Sequence, residues 1–197
     1  HALKQSAKLK EGETILVLGA AGGVGVTAIE IAKAMGAKVI AAASSSEKLE
    51  FAKGIGADEL INYSETPLKE KVKEITEGKG ADVVYDPVGG ELSDAALRAT
   101  AWHGRYLVIG FASGDIPKFA ANILLLKEAS AIGVWWGTWA AKNPHKHIQN
   151  IKELGAMIAS GDITPRITEE FTIDQYKEAF EVITERRAKG KVILTMN

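Results

Sequence analysis

The segment Ala20-Ala21-Gly22-Gly23-Val24-Gly25 constrains this chain more than any other, because of what stands on either side of it. Before it, Thr14-Ile15-Leu16-Val17-Leu18 is a short apolar run rich in branched residues that ends at Gly19, the pattern of a strand covered on both faces. After it, Val24, Ala28, Ile31, Ala32 and Met35 repeat at helical spacing as far as Gly36. A strand that turns through glycines into a helix leaves the N–H groups of the helix start facing an anion, with no side chain in the way. The first position of the G-x-G-x-x-G pattern is Ala20, and the glycine pattern alone is weakly specific; its place between a strand and a helix is the context that the motif demands. Ala20, Gly22, Gly23, Val24 and Gly25 are therefore candidates for gripping a dinucleotide pyrophosphate. The plainer alternative is a tight turn that binds nothing.

The alternation continues along the chain. The pattern predicts strands at 38–43, 59–62, 82–86, 106–110 and 130–136, and helices at 47–55, 68–77, 91–100, 123–126 and 144–160. Strands alternating with helices give right-handed βαβ units, and so an α/β fold with a doubly wound parallel sheet, the Rossmann fold. The tail changes character, with strand 166–171, helix 173–185 and strand 191–196, which reads as a short C-terminal α+β element. The expected division is an entry helix and linker over 1–13, a nucleotide-binding domain over 14–160 and a tail over 161–197. His1 opens the chain inside a segment that already looks helical, so a piece of something longer is expected.

Composition removes several function classes. A formal charge of −1 over 197 residues, with no long run of Lys and Arg, offers no footprint for nucleic acid or an anionic membrane. The charge-free stretch Ala129–Ala141 is well short of the roughly 20 apolar residues that cross a bilayer. With no cysteine there is no disulfide framework, thiolate nucleophile or cysteine-held zinc, and a reducing cytoplasm is the expected compartment. Val26 stands after Gly25 where a phosphate-binding loop of nucleotide hydrolases needs Lys. None of Tyr63, Tyr85, Tyr106 or Tyr176 has a Lys four positions on, which disfavours short-chain reductase chemistry. His145 and His147 are two apart on a helix, do not share a face and have no completing ligands, so no metal site is expected.

Cofactor choice is made where the second strand ends, because an acidic residue there binds a ribose 2′-hydroxyl and repels a 2′-phosphate. Here Ala41-Ala42-Ala43 is followed by Ser44-Ser45-Ser46-Glu47-Lys48, so hydroxyls and a cation replace the carboxylate. Short serines, free N–H groups at a helix start and Lys48 make a phosphate pocket, and point to NADP rather than NAD. The alternative is that Ser46 merely caps a helix and Lys48 is a solvated charge. Glu47 is the dissenting residue, unless its side chain points away.

Val17-Leu18-Gly19-Ala20-Ala21-Gly22-Gly23-Val24-Gly25, Gly56-Ala57-Asp58 with Ile61-Asn62-Tyr63, and Asp86-Pro87-Val88-Gly89-Gly90 together resemble the quinone oxidoreductase branch of the medium-chain dehydrogenase/reductase superfamily. The resemblance covers essentially the whole chain. It implies that Ser44, Lys48 and Tyr63 surround the 2′-phosphate of NADPH, with Arg187, or Arg186, reaching in from the tail. It places Val88 and Gly110-Phe111-Ala112 beside the nicotinamide and its ribose, and Val134 and Trp135 against the carboxamide through main-chain groups. It also implies no zinc, no catalytic side chain within this segment, and an electron acceptor that is a quinone or an enone. A substrate domain of roughly 120 or more residues would precede this one, with the tail folding back to complete it, and little turnover is expected of the chain alone. A homodimer through the strand at 130–136, which carries Trp135 and Trp136, is implied as well. The alternatives are an enoyl-reductase module of a polyketide or fatty-acid synthase, and a non-catalytic dinucleotide-binding or dimerisation module.

Overall fold

Five consecutive strand–helix units build the centre of the molecule, seen here in a computed structural model that describes residues 1–196. Strands β1 (Thr14–Leu18), β2 (Lys38–Ala43), β3 (Glu59–Asn62), β4 (Ala81–Asp86), β5 (Thr100–Val108) and β6 (Ser130–Gly133) form one sheet in the order β3-β2-β1-β4-β5-β6. Every pairing in it is parallel. Parallel neighbours require crossovers, and α1 (Gly23–Ala34), α2 (Ser46–Ile55), α3 (Leu68–Ile75), α4 (Leu92–Ala99) and α5 (Ala121–Lys127) supply them. Both faces are thereby covered. Ile15, Val17, Val39 and Val83 pack with Ala28 and Ile29 of α1 on one face, and Leu16, Leu18, Ile40 and Val84 pack with Val72 and Leu97 on the other.

The chain first runs outward from β1 to β3 and then returns to place β4 on the far side of β1. The strand order therefore reverses between β1 and β4, and the crevice above their carboxyl ends is where ligands of open α/β sheets bind. The entry segment folds as one helical stretch, Ala2–Ala7, whose Leu3 and Ala7 are buried against the α1 face. An ion pair between Arg105 and Glu13, with a further Arg105 hydrogen bond to the Ala7 carbonyl, ties that segment to β5.

Two strands differ most from the sequence reading, while most other ends shift by one or two residues. The strand expected at 106–110 begins six residues earlier, at Thr100, across an irregularity in its pairing with β4 that accommodates the positive φ of His103. The strand expected at 130–136 stops at Gly133, because its partner β5 ends at Val108 and offers nothing beyond. Trp136 instead opens a helix, α6 (Trp136–Lys142), which leads into α7 (Pro144–Ser160). The tail is a further parallel βαβ unit: β7 (Ile167–Thr172), α8 (Tyr176–Thr184) and β8 (Lys191–Thr195). Asn197, the last residue of the expected tail, lies outside the described residues.

Candidate nucleotide site

At the switch point the turn after β1 is closed by a hydrogen bond from the Gly22 N–H to the Gly19 carbonyl at 3.0 Å. The first bond of α1 runs from the Val26 N–H to the Gly22 carbonyl at 2.9 Å. The N–H groups of Gly23, Val24 and Gly25 precede that bond, and no side chain caps them. Glycine is needed here for close approach: a Cβ on Gly25 would stand 2.3 Å from the Gly19 oxygen and 2.8 Å from the Cα of Ala20. This bare, positively polarised helix end fits a pyrophosphate.

The next two strand ends are stitched together by one buried carboxylate. Asp86, 2% exposed at the end of β4, accepts from the N–H groups of Val88 and Gly89 and from the Ser93 hydroxyl, each at 2.8 Å, and from the Tyr106 hydroxyl. Burial and that carboxylate push the Tyr106 phenol up, so it stays a donor. Val88 is held against the glycine turn, its Cγ2 2.9 Å from where a Gly19 Cβ would be. The loop Gly110-Phe111-Ala112 lies alongside, with the Ala112 N–H bound to the Pro87 carbonyl and the Ser113 N–H to the Val88 carbonyl.

Beyond the end of β2 a cavity of about 420 Å³ is lined by Ser44, Ser45, Glu47, Lys48, Glu169, Arg186, Arg187 and Lys189. Three of the four residues expected at a 2′-phosphate thus share one cavity, and both arginines reach it. Tyr63 is not on its wall; it packs against the core face formed by Leu16, Ile40 and Val84. Glu47 does face the cavity, and its carboxylate is engaged by Lys189 at 2.5 Å, which holds it below the usual carboxylate range. Ser45, not Ser46, caps α2, accepting from the Lys48 N–H.

On the other side of the glycine turn lies a larger apolar groove of about 930 Å³, bounded by the entry segment, α1, α6 and α7. Val24, Val134 and Trp135 line it, with Tyr85, Ile109 and Lys191, none of which the sequence singled out. Burial pushes the Tyr85 phenol up to about 12. Among the described residues no group of three or more His, Cys, Asp or Glu could hold a metal ion.

A parallel sheet that reverses its order at a bare helix N-terminus defines a Rossmann domain. The profile of the family described as zinc-binding dehydrogenase matches residues 23–160. The quinone oxidoreductase-like protein 2 homolog of Nematostella vectensis is 40% identical over 98% of this chain and 53% of its own length. The solved Escherichia coli quinone oxidoreductase complexed with NADPH is 31% identical, with a TM-score of 0.89 over 98% of this chain and 60% of that one. A mycobacterial structure complexed with NADPH gives the same TM-score of 0.89 at 29% identity, over 98% of this chain and 59% of that one. The chain belongs to the zinc-binding dehydrogenase family, in its quinone oxidoreductase branch. It spans about half the length of the curated relatives it matches.

Proposed function

We propose that this chain is the NADPH-binding part of a zinc-independent oxidoreductase that passes hydride from NADPH to a quinone or an enone. The observation that carries the reading is the convergence of Ser44, Lys48, Arg186 and Arg187 on one cavity, at the strand end where an NAD-binding domain would present a carboxylate. The two relatives solved with NADPH support it. When bound, NADPH supplies the hydride. The chain's own residues bind and orient: Gly22, Gly23, Val24 and Gly25 offer N–H groups to the pyrophosphate, and Asp86 fixes the loops that carry Val88 and Gly110-Phe111-Ala112 beside the nicotinamide. Val24, Val134 and Trp135 wall the groove that shelters the ring from water. No side chain of this segment is assigned a catalytic role.

Pairing of two copies through β6 belongs to the same proposal, since Ser130–Gly133 is an edge strand and Ser130, Ala131 and Gly133 are exposed. The cysteine-free composition suits a reducing compartment, the cytoplasm. No helix among the described residues is long and apolar enough to cross a membrane. Titrating the chain with NADPH and NADH tests the cofactor assignment, and tighter binding of NADH would refute it. Lys48→Glu should weaken NADPH about 10-fold or more while leaving NADH within a few-fold, from the loss of a charge-assisted bond to phosphate. Equal losses for both cofactors would remove Lys48 from the pocket.

A further inference from the structure

The first turn of α1 lies between the cation-lined cavity and the apolar groove, so a dinucleotide reaching both sets its pyrophosphate on that turn. The turn itself offers only N–H groups and the partial charge of a helix end. One cation stands over it. Cδ and Nζ of Lys191, the first residue of β8, are each 3.1 Å from where a Cβ on Gly23 would be. Its backbone is fixed in that place, because the preceding Gly190 donates its N–H to the Ala21 carbonyl at 2.8 Å and bridges to Gly22. Gly190 has φ +66, and a Cβ on it would lie 2.5 Å from the Arg166 carbonyl oxygen, so glycine is needed where the chain enters β8 against the start of β7.

Of the four cations that line the cavity beyond β2, three are engaged, and the fourth, Arg186, stands on the wall of that cavity. Lys48 donates to the Arg186 carbonyl, Lys189 pairs with Glu47, and Arg187 pairs with Glu185. Among the described residues, no ion pair or side-chain hydrogen bond engages the Lys191 ammonium. We infer that Lys191 is the cation that neutralises the cofactor pyrophosphate, supplied by the tail to a helix end whose glycine turn carries no charge of its own. This rests on the cofactor reading above. It divides the work between two lysines: Lys48 recognises the phosphate that distinguishes NADPH, and Lys191 binds the group that NADPH and NADH share.

The test measures affinities of the parent chain, Lys191→Met and Lys191→Arg for NADPH, NADH and adenosine 2′-monophosphate, with melting curves to confirm folding. Met keeps the unbranched stem and loses the charge. Lys191→Met is expected to weaken both dinucleotides by a similar factor, about 10-fold or more, the worth of a charge-assisted hydrogen bond. Adenosine 2′-monophosphate, which has no pyrophosphate, should bind as before, and Lys191→Arg should restore most of the affinity. The salt dependence of NADPH binding should be shallower for Lys191→Met, since one charge–phosphate contact is gone. Unchanged dinucleotide affinities would overturn the inference, and so would a loss confined to NADPH and adenosine 2′-monophosphate, which would put Lys191 at the 2′-phosphate. A parent chain that binds neither dinucleotide would overturn the cofactor reading and this inference with it.

Discussion

Replacing Gly25 by Ala is the sharpest test of how the turn is built. A Cβ there would meet three backbone atoms: the Gly19 oxygen at 2.3 Å, the Ala20 Cα at 2.8 Å and the Ala20 oxygen at 2.9 Å. Ordinary contact begins near 3.4 Å, so α1 must withdraw from the end of β1 by roughly 1 Å. That movement is resisted because Ala28, Ile29 and Ala32 on the same helix are packed into the core at 3%, 0% and 0% exposure. Overpacking of this kind costs about 1–3 kcal/mol, and the upper end is expected because backbone rather than a side chain must yield. Gly22→Ala is the internal control. Its Cβ would lie 3.3 Å from the same Gly19 oxygen, and its φ of −72 suits any residue, so a cost under about 1 kcal/mol is expected. Urea unfolding followed by circular dichroism gives both values, and NADPH titration shows whether the displaced helix end still binds. If Gly25→Ala costs no more than Gly22→Ala, the claim that the third glycine sets the approach of helix to strand is wrong.

Two further outcomes follow from buried phenols. Tyr106→Phe removes one of four donors from the buried Asp86 carboxylate and should cost about 1.5–3 kcal/mol in urea unfolding, the range for hydrogen bonds to charged groups; an unchanged midpoint would mean that the remaining donors suffice. Tyr85 ionises near 12 in the folded chain against an ordinary value of about 10, so its contribution to stability is complete below pH 10 and is lost as pH rises towards 12. Up to about 3 kcal/mol of the alkaline loss should therefore be absent in Tyr85→Phe; an identical alkaline decline in both proteins would refute the assignment.

The first four strands and the helices between them were legible because a strand covered on both faces reads as an apolar run and its crossover helix as a 3.6-residue repeat. The elements misjudged lack such a signature. His103 sits at φ +56 inside β5, a conformation that no local pattern announces. Residues 136–142 mix tryptophans with small residues, and that mixture suits a strand end as well as the helix it forms. Of the residues that line the cavity, Ser44 and Lys48 were legible because the absent carboxylate after β2 drew attention to them, and Arg187 only through the family resemblance. Lys189 and Lys191 were not, since a cation in a tail looks the same in sequence whether it meets solvent or, like Lys189 with Glu47 and Lys191 with Gly23, a helix start far earlier in the chain.

That distance explains why the tail cannot be separated from the site. The six-stranded domain supplies the glycine turn, Ser44 and Lys48, whereas Arg186, Arg187 and Lys189 come from the stretch between α8 and β8 and Lys191 is the first residue of β8. The tail is held in place at two points, one in the middle of α1 and one at the glycine turn itself. Glu30, 4% exposed in the middle of α1, accepts from the Thr164 N–H at 3.1 Å and lies 3.4 Å from the Arg166 Nε, and Gly190 is bound to Ala21. Glu30 Oε2 has no partner of its own, so removing Arg166 would leave a buried carboxylate with the Thr164 N–H alone. Glu30 on α1 thus helps to hold the segment that carries these four cations, three on the wall of the cavity beyond β2 and Lys191 beside the first turn of α1. An expected division between 160 and 161 separates the two sheets, whereas Arg186, Arg187 and Lys189, which share a cavity with Ser44 and Lys48, lie on the far side of it.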